Sequence, residues 1–126
     1  MEKQQFISMS LPFKLVCQVT DKGVKKLAIL SGVYVDGQVS FFDTVESNHG
    51  FSSVKPVLYP LSDYEELGLD ITDEIIIQNV IDKHEIIENV RFAVIQYLVE
   101  KHFDIYRLIE KKQAINVNTL PENPYK

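Results

Sequence analysis

His84-Glu85-Ile86-Ile87-Glu88 has half the form of a zinc-protease helix, in which two histidines one turn apart hold the metal and a glutamate activates water. Glu88 stands where the second histidine would be. His102 cannot replace it, because five further helical turns would carry it about 27 Å along the same helix. The segment reads as a solvated helix start, and no metal or cofactor is expected. Cys17 would need an accessible, electropositive setting to act as a nucleophile. It alternates instead with Phe13, Leu15 and Val19, which puts it on a core-facing strand position as an inert thiol. His49 and Asn48, in a polar stretch with Glu46 and Gly50, are the candidate ligand-binding residues, since a loop histidine can take part in acid–base work. Phosphate-cradling glycine loops, a nucleophile elbow and a cysteine–histidine zinc cluster are absent from the sequence. Tyr34, Phe41, Phe42 and Tyr59 lack the interleaved Lys and Arg of a base-stacking sheet, which assigns them to packing.

The whole chain sets the frame for these residues. Its 126 residues suit one domain, with residues 1–10 and 120–126 expected to be loose tails. The composition, 45% hydrophobic and 25% charged, is that of a chain able to build a core. A single cysteine excludes an internal disulfide, and with no signal-like start or membrane-length apolar run the expected location is cytoplasmic, with no membrane contact. Thirteen basic against eighteen acidic residues, a net charge of −5, disfavours a nucleic-acid surface.

The elements follow from apolar spacing. Phe13–Thr20 alternates as a half-buried strand, and Val24–Val35 continues it after Asp21-Lys22-Gly23, with a bulge at Ser31-Gly32. Asp36-Gly37 predicts a two-residue type I′ hairpin that sets Tyr34 opposite Val39 and Gly32 opposite Phe41. Val45–Ser53 reads as a loop. Val54–Tyr59 reads as a strand that Pro56 confines to an edge or to its own first residues. Ser62-Asp63-Tyr64-Glu65 matches a capping box ahead of a short helix ended by Gly68. For 71–82, the acids favour a helix start and the three isoleucines a strand. A long helix is expected from His84 to His102. Ile86, Ile87, Val90, Ala93, Val94, Tyr97 and Leu98 share one face of it, with a second stripe of Phe92, Ile95 and Val99 nearly opposite. Asp104 caps a further helix through Lys111, after which Ile115, Val117 and Thr119 alternate as a returning strand.

Two windows carry a resemblance. Lys55-Pro56-Val57-Leu58-Tyr59-Pro60-Leu61-Ser62-Asp63 resembles a proline-flanked "PLSD" segment, and Phe103 to Leu120 resembles an "FDvfgLIekGLAIdiNtL" ending. Both are found in small uncharacterised proteins of Bacteroidetes phages and other mobile elements, and Leu11-Pro12-Phe13 is a weaker match. The resemblance covers under a third of the chain and implies common descent without an activity to transfer. Lys112 departs from the pattern where a glycine is usual, Gln113 where a leucine is usual, and Tyr59 where an arginine is usual.

The expectation is an α+β domain: a small antiparallel sheet of three to four strands packed against a long C-terminal amphipathic helix, with a late strand returning to the sheet. A helix apolar on two sides must be covered on two sides. Phe92, Ile95 and Val99 are therefore the candidate interface of a non-enzymatic interaction protein of a mobile element, binding a protein partner or forming a homo-oligomer. Two rivals stand beside it: a small enzyme or ligand-binding domain centred on the 48–53 loop, and an inhibitor of a host defence system.

Overall fold

Alternation puts Cys17 and Val19 of one strand on the same face as Ala28 and Leu30 of the next, with Cys17 opposite Ala28, and this strand pair carries the sheet on which the rest of the chain packs. The computed structural model describes residues 2–44, 49–83 and 86–126. Helix α1 (Glu2–Met9) precedes strands β1 (Val16–Asp21), β2 (Val24–Val33), β3 (Gln38–Phe41), β4 (His49–Gly50) and β5 (Lys55–Leu58). Helices α2 (Ile71–Lys83) and α3 (Phe92–Glu100) and strand β6 (Ile115–Asn116) complete the order. The sheet runs β4-β3-β2-β1-β5-β6 and is antiparallel except for the parallel β5–β6 pair. It is an α+β fold with a six-stranded mixed sheet in place of the expected three to four antiparallel strands. The strand the sequence did not signal is β4, at two residues too short to leave a period. The expected returning strand forms as β6 beside β5 but stops at Asn116, where Val117–Thr119 forms a 3₁₀ turn. Pro56 is tolerated beside β1 because the β5–β6 pairs are Val57 and Leu58.

The β2–β3 hairpin carries the expected bulge, with the register stepping between Leu30↔Phe41 and Gly32↔Ser40. Its turn differs from type I′. Only Gly37 has positive φ, at 84°, and the loop is one residue longer, closed by Gly37 N–H to Tyr34 O (3.1 Å) and Tyr34 N–H to Gln38 O (2.9 Å). This is the three-residue loop with a glycine bulge, so Tyr34 meets Gln38 and Val33 meets Val39. A Cβ at Gly37 would meet nothing closer than Phe51 Cδ2 at 4.0 Å, which leaves backbone strain as the whole penalty. Gly37→Val should lower stability by about 1–2 kcal/mol, the cost of a β-branched residue in the left-handed region. A urea midpoint equal to that of the wild type would refute this loop.

Helix α2 resolves the 71–82 ambiguity: Ile77 and Val80 enter the core, while Ile71 and Ile75 stay exposed. The single helix expected from His84 to His102 does not form. His84 and Glu85 lie outside the described residues; beyond them a 3₁₀ turn (Ile87–Asn89) leads to extended Val90 and Arg91 (ψ 142° for both), and α3 begins only at Phe92. Two tertiary demands override the local periodicity here. Ile87 and Val90 are both buried, and Arg91 makes a bidentate pair with Asp73 in the first turn of α2 (Nε–Oδ1 3.0 Å, Nη2–Oδ2 2.6 Å). That guanidinium holds the Asp73 carboxyl below the usual carboxylate range.

The capping box at Ser62 is also absent. Leu61–Leu67 is a 3₁₀ turn with Pro60 at its head and no side-chain cap, and Gly68 ends it at φ 66° as expected. Asp104 does cap, accepting the N–H groups of Leu108 (2.8 Å) and Ile109 (2.9 Å), but the residues it caps form a series of turns in place of a helix. Lys112 adopts the left-handed conformation (φ 61°) where a glycine would relax it, and Gln113 N–H to Leu108 O (2.8 Å) with Lys112 N–H to Ile109 O (3.0 Å) closes a Schellman turn. His102 (φ 67°) ends α3 by the same pattern.

The segments expected to be loose are anchored. Phe6 and Ile7 of α1 are fully buried in the main core. At the other end, Val117 and Tyr125 pack with Val16 and Val57 in a second small cluster. That cluster lies on the sheet face opposite the helices, because Val16 and Val57 alternate with core-facing Cys17 and Leu58.

Candidate functional site

His49 is part of β4, paired with Val39, and is 6% exposed with its ring edge-on to Phe41 at 5.5 Å between centroids. It packs at the sheet's end as a strand residue, which corrects the expectation of an open loop histidine. Asn48 lies outside the described residues. Cys17 is fully buried, and burial pushes its thiol far above the free value. A thiol reagent should therefore label Cys17 slowly in the native protein and rapidly in denaturant. Equal rates would refute the buried thiol.

His102 is a structural residue. Its Nε2 lies 2.7 Å from the Phe13 carbonyl, which fixes the proton on that nitrogen, and its ring stacks on Tyr125 at 4.0 Å and 9°. Burial lowers its pKa, so the imidazole is neutral near pH 7. Asp104 is committed to capping, and burial raises its carboxyl. Among the described residues no group of three or more His, Cys, Asp or Glu could hold a metal ion. No described helix is long and apolar enough to cross a membrane.

The stripe of Phe92, Ile95 and Val99 is divided. Val99 is 3% exposed and belongs to the core, Ile95 is half-buried against it, and Phe92 alone is exposed. The three do not make one open surface, because the chain's own sheet and helices cover the end of α3 that carries Val99.

An apolar surface that periodicity did not reveal lies on the sheet's outer face. The tail covers the part of this face formed by β5 and β6, together with Val16 of β1. The neighbouring strands are left open, with Leu27 and Ile29 of β2 each more than a third exposed. Tyr34 and Phe42, at the two ends of the β3 hairpin arm, are about half exposed. Register joins them: Ile29 is the partner of Val16, and the Phe42 N–H bonds the Ile29 carbonyl at 2.9 Å. Gly32 lets the Tyr34 ring lie across the bulge, since a Cβ there would stand 2.9 Å from Ser40 Oγ and 3.3 Å from Tyr34 Oη. The alternation that buries Ala28 and Leu30 necessarily sends Leu27 and Ile29 outward. The signal was therefore present in Val24–Val33, but only the position of the tail shows which outward residues stay uncovered. Among the described residues, Lys25 is the one charged side chain at an outward-facing position of β1, β2 and β3, and no carboxylate of these strands shares that face.

Comparison with protein-family models, curated proteins and solved structures finds no match to this chain.

Proposed function

We propose that this chain is a non-enzymatic interaction protein of a phage or other mobile element, and that it docks a protein partner on the outer face of β2 and β3. The observation that carries this is the half-covered sheet: Val16 is sealed by the tail while its cross-strand neighbour Ile29, with Leu27, Tyr34 and Phe42, faces solvent. A contiguous apolar patch open to water marks an interaction surface. The chemistry that would recognise it is an apolar patch flanked by a carboxylate, because Lys25 has no acidic neighbour on its own face of these strands. A second copy would bring one Lys25 towards another without a carboxylate on either side. The described cysteine and histidines support the same reading: Cys17, His49 and His102 are each held in the packing of the fold.

The test is capture from the native host with the wild-type chain and three variants. A protein retained by wild type and by Phe92→Lys, but lost with Ile29→Lys and weakened by Lys25→Glu, is the expected result. The rim substitution should cost less than the central one. Loss with Phe92→Lys and retention with Ile29→Lys would move the interface to α3. A dimer in light scattering that Ile29→Lys dissociates would replace the partner with a second copy.

A further inference from the structure

A cavity of about 420 Å³ opens between the first turn of α1, the turn after β4, the start of β5 and the Schellman turn at Lys112. Among the described residues, Lys3, Lys55 and Lys112 line it together with Gln4, Phe51, Ser52 and Gln113, and no carboxylate does. None of the three lysines has an ion pair among the described residues, whereas Lys26, Lys111, Arg91 and Arg107 each have one. In a chain with five more acidic than basic residues, this is a local reversal of charge. Burial lowers the Lys3 amine, and the Lys55 ammonium lowers it further, so these two cations stand close enough to repel one another. One other feature suits an anion. Lys3 and Gln4 belong to the first turn of an eight-residue helix, whose early N–H groups lack partners within the helix; Glu2 in the same turn is taken up by Lys111. Lys112 has a left-handed backbone (φ 61°) that glycine would also occupy, so its side chain can be removed without disturbing the turn.

We propose that this cavity binds a small oligophosphate, with Lys3, Lys55 and Lys112 on the phosphate oxygens and the side chains of Gln4, Ser52 and Gln113 as further hydrogen-bond donors. Two linked phosphates carry about three negative charges, which match the three ammonium groups, where a single phosphate carries about −1.5 to −2. By register Lys55 stands on the same sheet face as Leu27, with Gln18 between them, but no docking residue lines the cavity, and the inference does not rest on the proposed docking function.

Titration calorimetry of the full chain at low salt, with pyrophosphate, ADP and AMP as probes, tests this. Pyrophosphate and ADP should bind at least about tenfold more tightly than AMP, a difference of about 1.4 kcal/mol. Equal affinity for the first two shows recognition of phosphates alone, and tighter ADP shows an added contact with the nucleoside; both support the site. Lys3→Gln, Lys55→Gln and Lys112→Gly should each weaken pyrophosphate binding about tenfold, while Lys25→Gln, on the open sheet face, should leave it unchanged. Lys112→Gly is the decisive variant, because glycine suits the φ of 61° and the fold is kept. The proposal is overturned if pyrophosphate gives no binding at millimolar concentration. It is equally overturned if Lys25→Gln weakens binding as much as Lys55→Gln does, which would mean a diffuse field.

Discussion

Val99→Lys should abolish the folded state. Val99 is 3% exposed near the C-terminal end of α3 and is buried in the same core as Leu98 and Val94, although it lies on another side of the helix. Lysine there would either hold an unpaired charge in apolar surroundings, which costs several kcal/mol, or have to swing its ammonium to water. The second route is closed by the helix end. His102 N–H bonds Val99 O at 3.0 Å and Phe103 N–H bonds Leu98 O at 2.9 Å, so the backbone at residue 99 is locked into the Schellman turn. A domain with roughly 5–15 kcal/mol of total stability does not withstand that easily, and the expected circular dichroism is that of a largely unfolded chain. Phe92→Lys, on the same helix but exposed, should fold as wild type. A folded, cooperatively melting Val99→Lys would show that this part of α3 is open, and would restore the stripe of Phe92, Ile95 and Val99 as an interface.

Removal of Tyr125 should weaken the sheet itself. The β1–β5 ladder pairs Gln18 with Lys55 and Cys17 with Pro56, and in the same register Val16 and Val57 come next. There the Tyr125 hydroxyl takes the place of a direct bond, accepting from Val16 N–H at 3.0 Å and donating to Val57 O at 2.6 Å. Its ring stacks on His102, and Asn123 Nδ2 donates to the Tyr59 hydroxyl at 2.8 Å beside it. Tyr125→Phe keeps the ring and leaves the Val16 N–H and Val57 O without their shared partner, a loss of about 1–3 kcal/mol. Tyr125→Ala also empties the ring's place over Val16, Val57 and His102 and should cost about 3–5 kcal/mol. Denaturant unfolding of the two variants measures both. The ordering matters as much as the size, since equal midpoints for Tyr125→Phe and wild type would show that the hydroxyl is not part of the ladder. An unchanged midpoint for Tyr125→Ala would return residues 120–126 to the status of a loose tail.

Much of the β1–β3 meander was legible in the residues alone. The alternation of Cys17 and Val19, the bulge at Ser31-Gly32, the turn at Gly37 and the helix stop at Gly68 are local matters, decided by side-chain period and by which residues accept positive φ. The same is true of the buried thiol of Cys17 and of the capping carboxylate at Asp104. The helix from His84 to His102 failed because its apolar positions fit a 3.6-residue period equally well whether or not the backbone breaks between them. The break comes from the burial of Ile87 and Val90 and from the pairing of Arg91 with Asp73, eighteen residues away. The role of Tyr125 was hidden for a related reason: nothing in Leu120–Lys126 is periodic, and its partner Val16 stands 109 positions earlier. The two candidate surfaces divide in the same way. Sequence alternation determined that Leu27 and Ile29 point away from Leu30 and Ala28, but only the tertiary structure decided that the tail stops short of them. Only the fold brings Lys3, Lys55 and Lys112 to one cavity, because charge has no sequence period and long-range proximity is a property of the packed chain.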